Sequence, residues 1–420
     1  EEQRESMVRQ TSYYVPGYER STAYLAGRWT GLKSYLTPAN KLPKGLFKSI
    51  FNKHSLVYDN HYEDLSFSDI PLYMQNSWIT QRDYQLNAVN SAFRNQRGIL
   101  SLTTGSGKTM ISAAIASKHL SESPTNKLLF VCYDINILQQ TIKNYAKLGF
   151  NVTQYSGTVK DLSGDVIVGT IQSLSRITQP RKVLKNISFV IVDEVHHSKS
   201  KTSKDVLTKL PNCNYYIGLT ATPHKEKSLA LAELMSVIGP VIYEYGYTDA
   251  VNQDSIVPVK AFFLKSSISY EQQEKLMFRK NYKVIWDYGI KDNIKRNKLV
   301  ATLNNTILDL LNTTNLIVVD RVEHGNNILQ NTELLSHTRA LASFGKDSVL
   351  VRDYKKEALM NYDINTLVSN ILFEGVDFEI SPVVSINASG RQGFIKIIQS
   401  LGRITRKNEK FKSFFSELLI

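Results

Sequence analysis

From about residue 77 the chain repeats one pattern, a short apolar run followed by a longer stretch with apolar positions every three or four residues. The runs 98–102, 128–133, 165–169, 189–192 and 215–219 are rich in β-branched and aromatic residues, which predicts buried parallel strands. Helical stretches such as 110–120 lie between them. The alternation argues for a doubly wound α/β domain. A second series begins near Val257, with strands expected at 261–264, 316–320, 340–344, 366–369 and 383–387. A helix is expected over 291–311, where Leu299, Leu303, Ile307 and Leu310 fall at helical spacing. The polar stretch 250–256 reads as a hinge between the two series.

Residues 1–76 do not share this pattern. They are rich in tyrosine, carry Trp29 and contain turn signals at Pro16-Gly17 and Pro43-Lys44-Gly45. The expectation is a small α+β module with a helix near 46–52, ending around Pro71 and Gln75-Asn76-Ser77. The domain plan is therefore 1–76, 77–252 and 253–420.

Composition supports several domains, since 420 residues with 42% hydrophobic content can build more than one core. No run of 18 apolar residues occurs, so no transmembrane helix is expected. The first residues, Glu1-Glu2-Gln3-Arg4-Glu5, lack the apolar core of a secretory signal. The two cysteines, Cys132 and Cys213, form no CxxC pair, which argues against a disulfide framework or a cysteine zinc site and fits a reducing cytoplasm. Net charge is +13, which suggests a polyanionic partner. The excess lies outside the first 76 residues, which hold nine Lys+Arg and eight Asp+Glu, against 42 and 30 in the remainder.

Two short stretches carry the chemistry. Thr103-Thr104-Gly105-Ser106-Gly107-Lys108-Thr109 follows a strand and opens a helix, the context of a phosphate loop. Its glycines let backbone N–H groups turn toward phosphate oxygens, and the helix N-terminus favours negative charge. Lys108 would neutralise β/γ phosphates, and Thr109 would offer its hydroxyl to Mg²⁺. Leu102 stands where the full GxxxxGK[ST] pattern has glycine. The apolar run before Asp193-Glu194-Val195-His196 places that acidic pair at the carboxyl end of a strand, where ligands bind in open α/β sheets. Asp193 suits Mg²⁺ coordination and Glu194 suits activation of water. His196 and His197 lack the HExxH spacing of a zinc site, so His196 is assigned a coupling role.

The order of motifs resembles a superfamily 2 helicase of the DExH type over about residues 77–410. Arg82-Asp83-Tyr84-Gln85 resembles the Q motif, in which Gln reads adenine. Residues 103–109 resemble motif I and 193–196 motif II. Gly218-Leu219-Thr220-Ala221-Thr222-Pro223 resembles motif III, which relays nucleotide state. Phe373-Glu374-Gly375-Val376-Asp377 resembles motif V. Gln399-Ser400-Leu401-Gly402-Arg403-Ile404-Thr405-Arg406 resembles motif VI. The resemblance implies two tandem RecA-like doubly wound parallel-sheet domains with ATP held between them. It makes Gln399, Arg403 and Arg406 catalytic partners of Glu194, and places Gly375 and Asp377 with Arg82, Gln85 and 104–109 around ATP. It assigns Thr220 and Thr222, with His196, to coupling. Cys132 replaces a proline common in motif Ia, and Ser369 a threonine common in motif V. The chain stops soon after motif VI, at Ile420, so the last strand of the second domain is expected to be short or missing.

Residues 170–173 resemble motif Ib, so Thr170 and Gln172, together with Arg321, are expected to contact a nucleic-acid backbone without reading sequence. Residues 26–33 and 42–46 resemble the N-terminal domain of UvsW-type phage branch-migration helicases. There Arg28 and Trp29, between glycines, suggest an exposed hairpin with a cation and an aromatic face, although a core role for Trp29 fits equally. The family implies an ATP- and Mg²⁺-dependent DNA motor on forks or four-way junctions, a monomer, in the cytoplasm of a bacterial host. An RNA helicase, a duplex translocase that does not separate strands, and a nucleotide-regulated binding protein are the alternatives.

Overall fold

The computed structural model describes residues 2–51, 63–70, 82–197, 201–221, 229–256, 258–262, 264, 282–311, 313–333, 338–370, 384–389 and 416–419. It divides into two compact units, with the main break between Gly246 and Tyr247.

The first unit opens with the helix Glu2–Gln10 and a two-stranded antiparallel sheet, β1 (Ser12–Tyr14) and β2 (Leu32–Ser34). The connection between these strands holds a 3-10 turn, Tyr18–Arg20, and a short helix, Thr22–Leu25. Ser21 caps that helix by accepting a hydrogen bond from Tyr24 N. The helix Lys44–Phe51 lies against the helix Leu229–Val237 so closely that a Cβ on Gly45 would sit 2.0 Å from the Met235 carbonyl oxygen. Lys33 Nζ meets Glu233 Oε1 on the same helix at 2.9 Å. Asn90 pairs with both backbone groups of Leu65, at 2.8 and 3.0 Å, and ties segment 63–70 to the helix Asp83–Asn95.

Behind this module is an eight-stranded sheet. Its strands are β3 (Arg97–Leu102), β4 (Lys127–Cys132), β5 (Val152–Ser156), β6 (Val159–Lys160), β7 (Val166–Thr170), β8 (Ile187–Val192), β9 (Tyr215–Thr220) and β10 (Val241–Tyr245). Their spatial order is β10-β3-β9-β8-β4-β7-β5-β6, and every pairing is parallel except β5–β6. The central strands are buried along nearly their whole length, which is why they read as continuous apolar runs. Strand ends differ from expectation by one or two residues. Lys127 pairs with Ile187 although it is charged, while Asp165 stands outside β7. Strands β5, β6 and β10 were not foreseen. Cys132 and Cys213 are free thiols buried in this interior.

The second unit has a six-stranded, wholly parallel sheet. It comprises β11 (Val259–Phe262), β12 (Asn315–Val318), β13 (Ala340–Ser343), β14 (Thr366–Ser369), β15 (Val384–Asn387) and β16 (Ser416–Leu419), in the order β11-β16-β15-β12-β14-β13. The last strand, expected short or missing, has four residues and pairs on both sides, with β11 and β15. The expected helix over 291–311 runs Ile294–Leu311, preceded by the π-turn Asp287–Lys291. One face of the sheet packs Val300 and Ile307 of that helix against Ile317, Val368 and Ile386. The other packs Leu316 and Leu367 on Ala358 and Leu359 of the helix Val349–Met360. The stretch 250–256 starts inside the helix Tyr247–Asn252, and Ala250, Ser255 and Ile256 are buried.

Candidate active site

Strand β3 ends at Leu102, and the chain turns through Gly105 and Gly107, at φ +85° and +80°, into the helix Lys108–Glu122. That positive φ lets the loop coil back on itself, and it is a conformation other residues adopt only with strain. A Cβ on Gly107 would also stand 2.7 Å from Gln85 Nε2, so the Gln85 amide sits directly over the loop. Thr103 N donates to the Tyr245 carbonyl at 3.0 Å, fixing the loop to β10. Tyr245 stacks on Tyr84 with ring centroids 3.9 Å apart and planes 6° from parallel. Arg82 reaches the Tyr84 hydroxyl at 3.4 Å. An aromatic pair that a sequence scan does not reveal thus fixes Tyr84, the neighbour of Gln85, to the strand that holds the loop.

Strand β8 delivers the acidic pair. Asp193 N donates to the Val131 carbonyl at 3.0 Å, and Asp193 Oδ1 accepts from Glu194 N at 2.9 Å. Burial, then the neighbouring Glu194 charge, pushes the Asp193 carboxyl up to about 6, against the pull of Lys108. Glu194 takes φ +42°, rare for a residue with a side chain and a mark of strain held by its surroundings. Its Oε1 lies 4.0 Å from Lys108 Nζ, and its Oε2 lies 3.3 Å from His196 Nδ1. The same His196 nitrogen is 3.3 Å from Thr220 Oγ1 at the end of β9. Phosphate loop, acidic pair and the end of β9 are therefore linked by consecutive contacts: Lys108 to Glu194, Glu194 to His196, His196 to Thr220. Val195 packs against the Cα of Gly218, where an added Cβ would be 2.7 Å from Cγ2. Sheet order explains the convergence, because β3, β9 and β8 are neighbours though far apart in sequence.

Hard oxygen donors at Thr109 and Asp193 suit Mg²⁺, which takes one or two protein ligands and completes its shell with phosphate and water. Among the described residues, no group of three or more His, Cys, Asp or Glu could hold a metal alone, and no helix is long and apolar enough to cross a membrane.

The expected nucleic-acid contacts are placed unevenly. Thr170 is buried at the end of β7, whereas Gln172 is exposed and donates to the Tyr133 carbonyl at 3.3 Å. Ser173 Oγ accepts from Gly157 N at 3.3 Å, which brings the β5–β6 turn beside Gln172, a contact no local motif announced. In the second unit the Arg321 guanidinium lies 4.1 Å over Trp286, and its Nη1 is 3.5 Å from Asp287, so this cation is already engaged. Arg28 is exposed, but the expected hairpin is absent there. Arg28 and Trp29 lie in the long β1–β2 connection, and Trp29 is half-buried with its N–H donating to the Leu32 carbonyl at 2.8 Å. Gln399, Arg403, Arg406, Gly375, Asp377 and Thr222 lie outside the described residues.

Two RecA-like parallel-sheet units, with a phosphate loop, an acidic strand end and Thr220 joined by contacts, mark an ATP hydrolase of the helicase class. Comparisons with known proteins agree. Residues 78–225 match the family model "Type III restriction enzyme, res subunit". The chain is 26% identical to putative helicase 22 of a Sulfolobus islandicus filamentous virus, over 83% of its own length and 65% of that protein. It is 27% identical to the DNA 3'-5' translocase XPB2 of Sulfurisphaera tokodaii, over 94% of both. It is 23% identical to the ATP-dependent DNA helicase uvsW of phage T4, over 94% of this chain and 82% of that one. The crystal structure of T4 UvsW matches at TM-score 0.50 and 18% identity, covering 100% of this chain and 86% of that one. The resemblance to superfamily 2 DExH helicases, with UvsW-type proteins among the relatives, is thereby borne out.

Proposed function

We propose that this chain is an ATP-driven DNA motor that acts on branched DNA, regressing forks and migrating junctions in recombination, repair and replication. The observation that carries the motor reading is the contact chain from Lys108 through Glu194 and His196 to Thr220. Such a chain ties phosphate occupancy to a strand end instead of leaving hydrolysis isolated. DNA as the track is supported by the helicase and translocase relatives and by the net charge of +13.

In this reading Gln85 and Arg82 hold adenine, and Lys108 with the backbone of 104–107 holds the phosphates. Thr109 and Asp193 hold Mg²⁺, which screens phosphate charge when bound. Glu194 takes a proton from water as its oxygen bonds to the γ-phosphorus and the bond to the β-phosphate oxygen breaks. Arg403 and Arg406, with Gln399, offset the charge on the γ-phosphoryl oxygens, and Gly375 and Asp377 flank the nucleotide. His196, Thr220 and Thr222 pass the change to the face bearing Gln172. Contacts there are to backbone and independent of sequence, with one chain as the working unit.

The test compares ATPase stimulation by a four-way junction, linear duplex, single-stranded DNA and RNA. Junction DNA should stimulate most, and a preference for RNA would overturn the proposal. The match to a restriction-enzyme res subunit favours a second reading, duplex translocation without strand separation. In that case a third strand would be displaced from linear duplex while no unwound strand is released.

A further inference from the structure

We infer that Tyr14, Tyr18 and Tyr24 form a stacking site for unpaired nucleobases of the DNA. This rests on the branched-DNA reading and names a contact within it. The Tyr14 and Tyr18 rings stack at 4.9 Å between centroids with planes 25° apart, and Tyr24 meets Tyr18 edge-on at 4.8 Å. Although clustered, they are not a closed core, because Tyr14 is 59% exposed and Tyr24 37%. Tyr18 covers one face of Tyr14, so much of that exposure falls on the other face. The cluster is seated on Gly31, at φ +80°, where a Cβ would lie 2.1 Å from Tyr18 Cδ2. The absence of a side chain at Gly31 lets the Tyr18 ring lie against the backbone there.

The connection that carries the rings is charged on both signs, with the Tyr18 hydroxyl raised by desolvation and then by the neighbouring Glu19 charge, and with two arginines on the same stretch. Arg20 closes the 3-10 turn that begins at Tyr18, and Arg28 follows the helix that carries Tyr24, its N–H bonded to the Ala23 carbonyl at 2.9 Å. Both arginines are exposed. Flat aromatic faces on an exposed connection that also carries Arg20 and Arg28 suit a base attached to a phosphate. Trp29, the aromatic singled out by sequence, is half-buried with its N–H engaged by Leu32, so the stacking surface passes to the tyrosines. Unpaired bases occur where a fork or junction opens.

The experiment measures binding of the full chain to two forked DNAs that differ only in whether the single-stranded arm carries bases or is abasic. Tyr14→Ala with Tyr24→Ala should weaken binding to the base-bearing arm about tenfold, the scale of one lost stack, and leave binding to the abasic fork unchanged. Tyr14→Phe with Tyr24→Phe should bind as the unaltered chain does, since rings and not hydroxyls act. Near-ultraviolet circular dichroism checks that the alanine variant is folded, and Tyr14→Ala alone serves if it is not. Unchanged binding by the alanine variant, an equal loss on both forks, or a change in sedimenting mass that shows the patch joining two copies would each overturn the inference. Junction-stimulated ATPase is scored separately. If the junction fails to stimulate the unaltered chain while the base-dependent loss persists, the branched-DNA reading falls and the stacking site stands. Normal stimulation without that loss gives the reverse.

Discussion

Adding a single methyl group at Gly218 should disable hydrolysis without touching the nucleotide pocket. Gly218 lies in β9 beside Val195, and an added Cβ would meet Val195 Cγ2 at 2.7 Å and its Cβ and Cγ1 at 2.9 Å. Ordinary van der Waals contact begins near 3.4 Å, so Val195 must retreat by about 0.7 Å. Val195 has no slack, being fully buried between Glu194 and His196 in the interior of the first unit. Overpacking of this kind costs roughly 1–3 kcal/mol of stability. The functional effect follows from what the displaced residue carries. Glu194 is already held at φ +42°, and its Oε2 is 3.3 Å from His196. A misplacement approaching 1 Å can cost about a hundredfold in rate, so Gly218→Ala should lower kcat about ten- to a hundredfold. The KM for ATP should change little, because Gln85 and the loop at 103–109 are untouched. Steady-state ATPase at saturating DNA, with thermal unfolding alongside, measures both effects. Val195→Ala in the same chain should recover part of the lost rate by removing two of the three crowded atoms. A Gly218→Ala enzyme within twofold of the normal kcat would refute the argument that this contact positions the base.

Three other outcomes are expected. Glu194→Gln should retain ATP binding and lose turnover by about 10²–10⁴, the usual worth of a positioned base; sustained hydrolysis in a single-turnover assay would remove Glu194 from that role. Gly45→Val should loosen the N-terminal module by about 1–3 kcal/mol, because its side chain would strike the Met235 carbonyl; limited proteolysis should then cut within residues 1–51 first, and an unchanged pattern would contradict the packing. Burial pushes the His119 imidazole down to about 4 from its ordinary 6.5, so the unfolded chain takes up this proton first as pH falls. Its contribution is complete above pH 6.5 and is lost toward pH 4. Between pH 7 and pH 5 the loss is about 2 kcal/mol, and urea unfolding of His119→Gln should show a correspondingly flatter pH dependence.

The α/β organisation was legible because a buried parallel strand has no polar face, so β4 and β8 announce themselves as Leu-Leu-Phe-Val and Phe-Val-Ile-Val. The phosphate loop and acidic pair were legible for a different reason: their chemistry needs adjacent residues. Contacts made across the sheet left no such trace. Tyr84 stacks on Tyr245, and Gly218 admits Val195, each pair joined only once the strands are ordered. The N-terminal module was the least readable. Its glycines suggested a hairpin tip at Arg28-Trp29, whereas Gly31 makes room for the Tyr18 ring and Trp29 turns its N–H onto Leu32. Strand β16 was expected to be short or missing and could not be placed, because its four residues, Ser-Glu-Leu-Leu, are apolar only in part.

The order of strands in the first sheet also sets a length scale. Read from β3 through β9, β8 and β4 to β7, one edge of the sheet passes from the phosphate loop to the strand that leads into Gln172. Four strand spacings separate these ends, roughly 19 Å at about 4.8 Å each. Backbone hydrogen bonds fix that interval, so substitutions along the edge can change how firmly fuel and the proposed track communicate but not the distance between them. A motor of this build can be retuned residue by residue, while its lever arm is inherited with the fold.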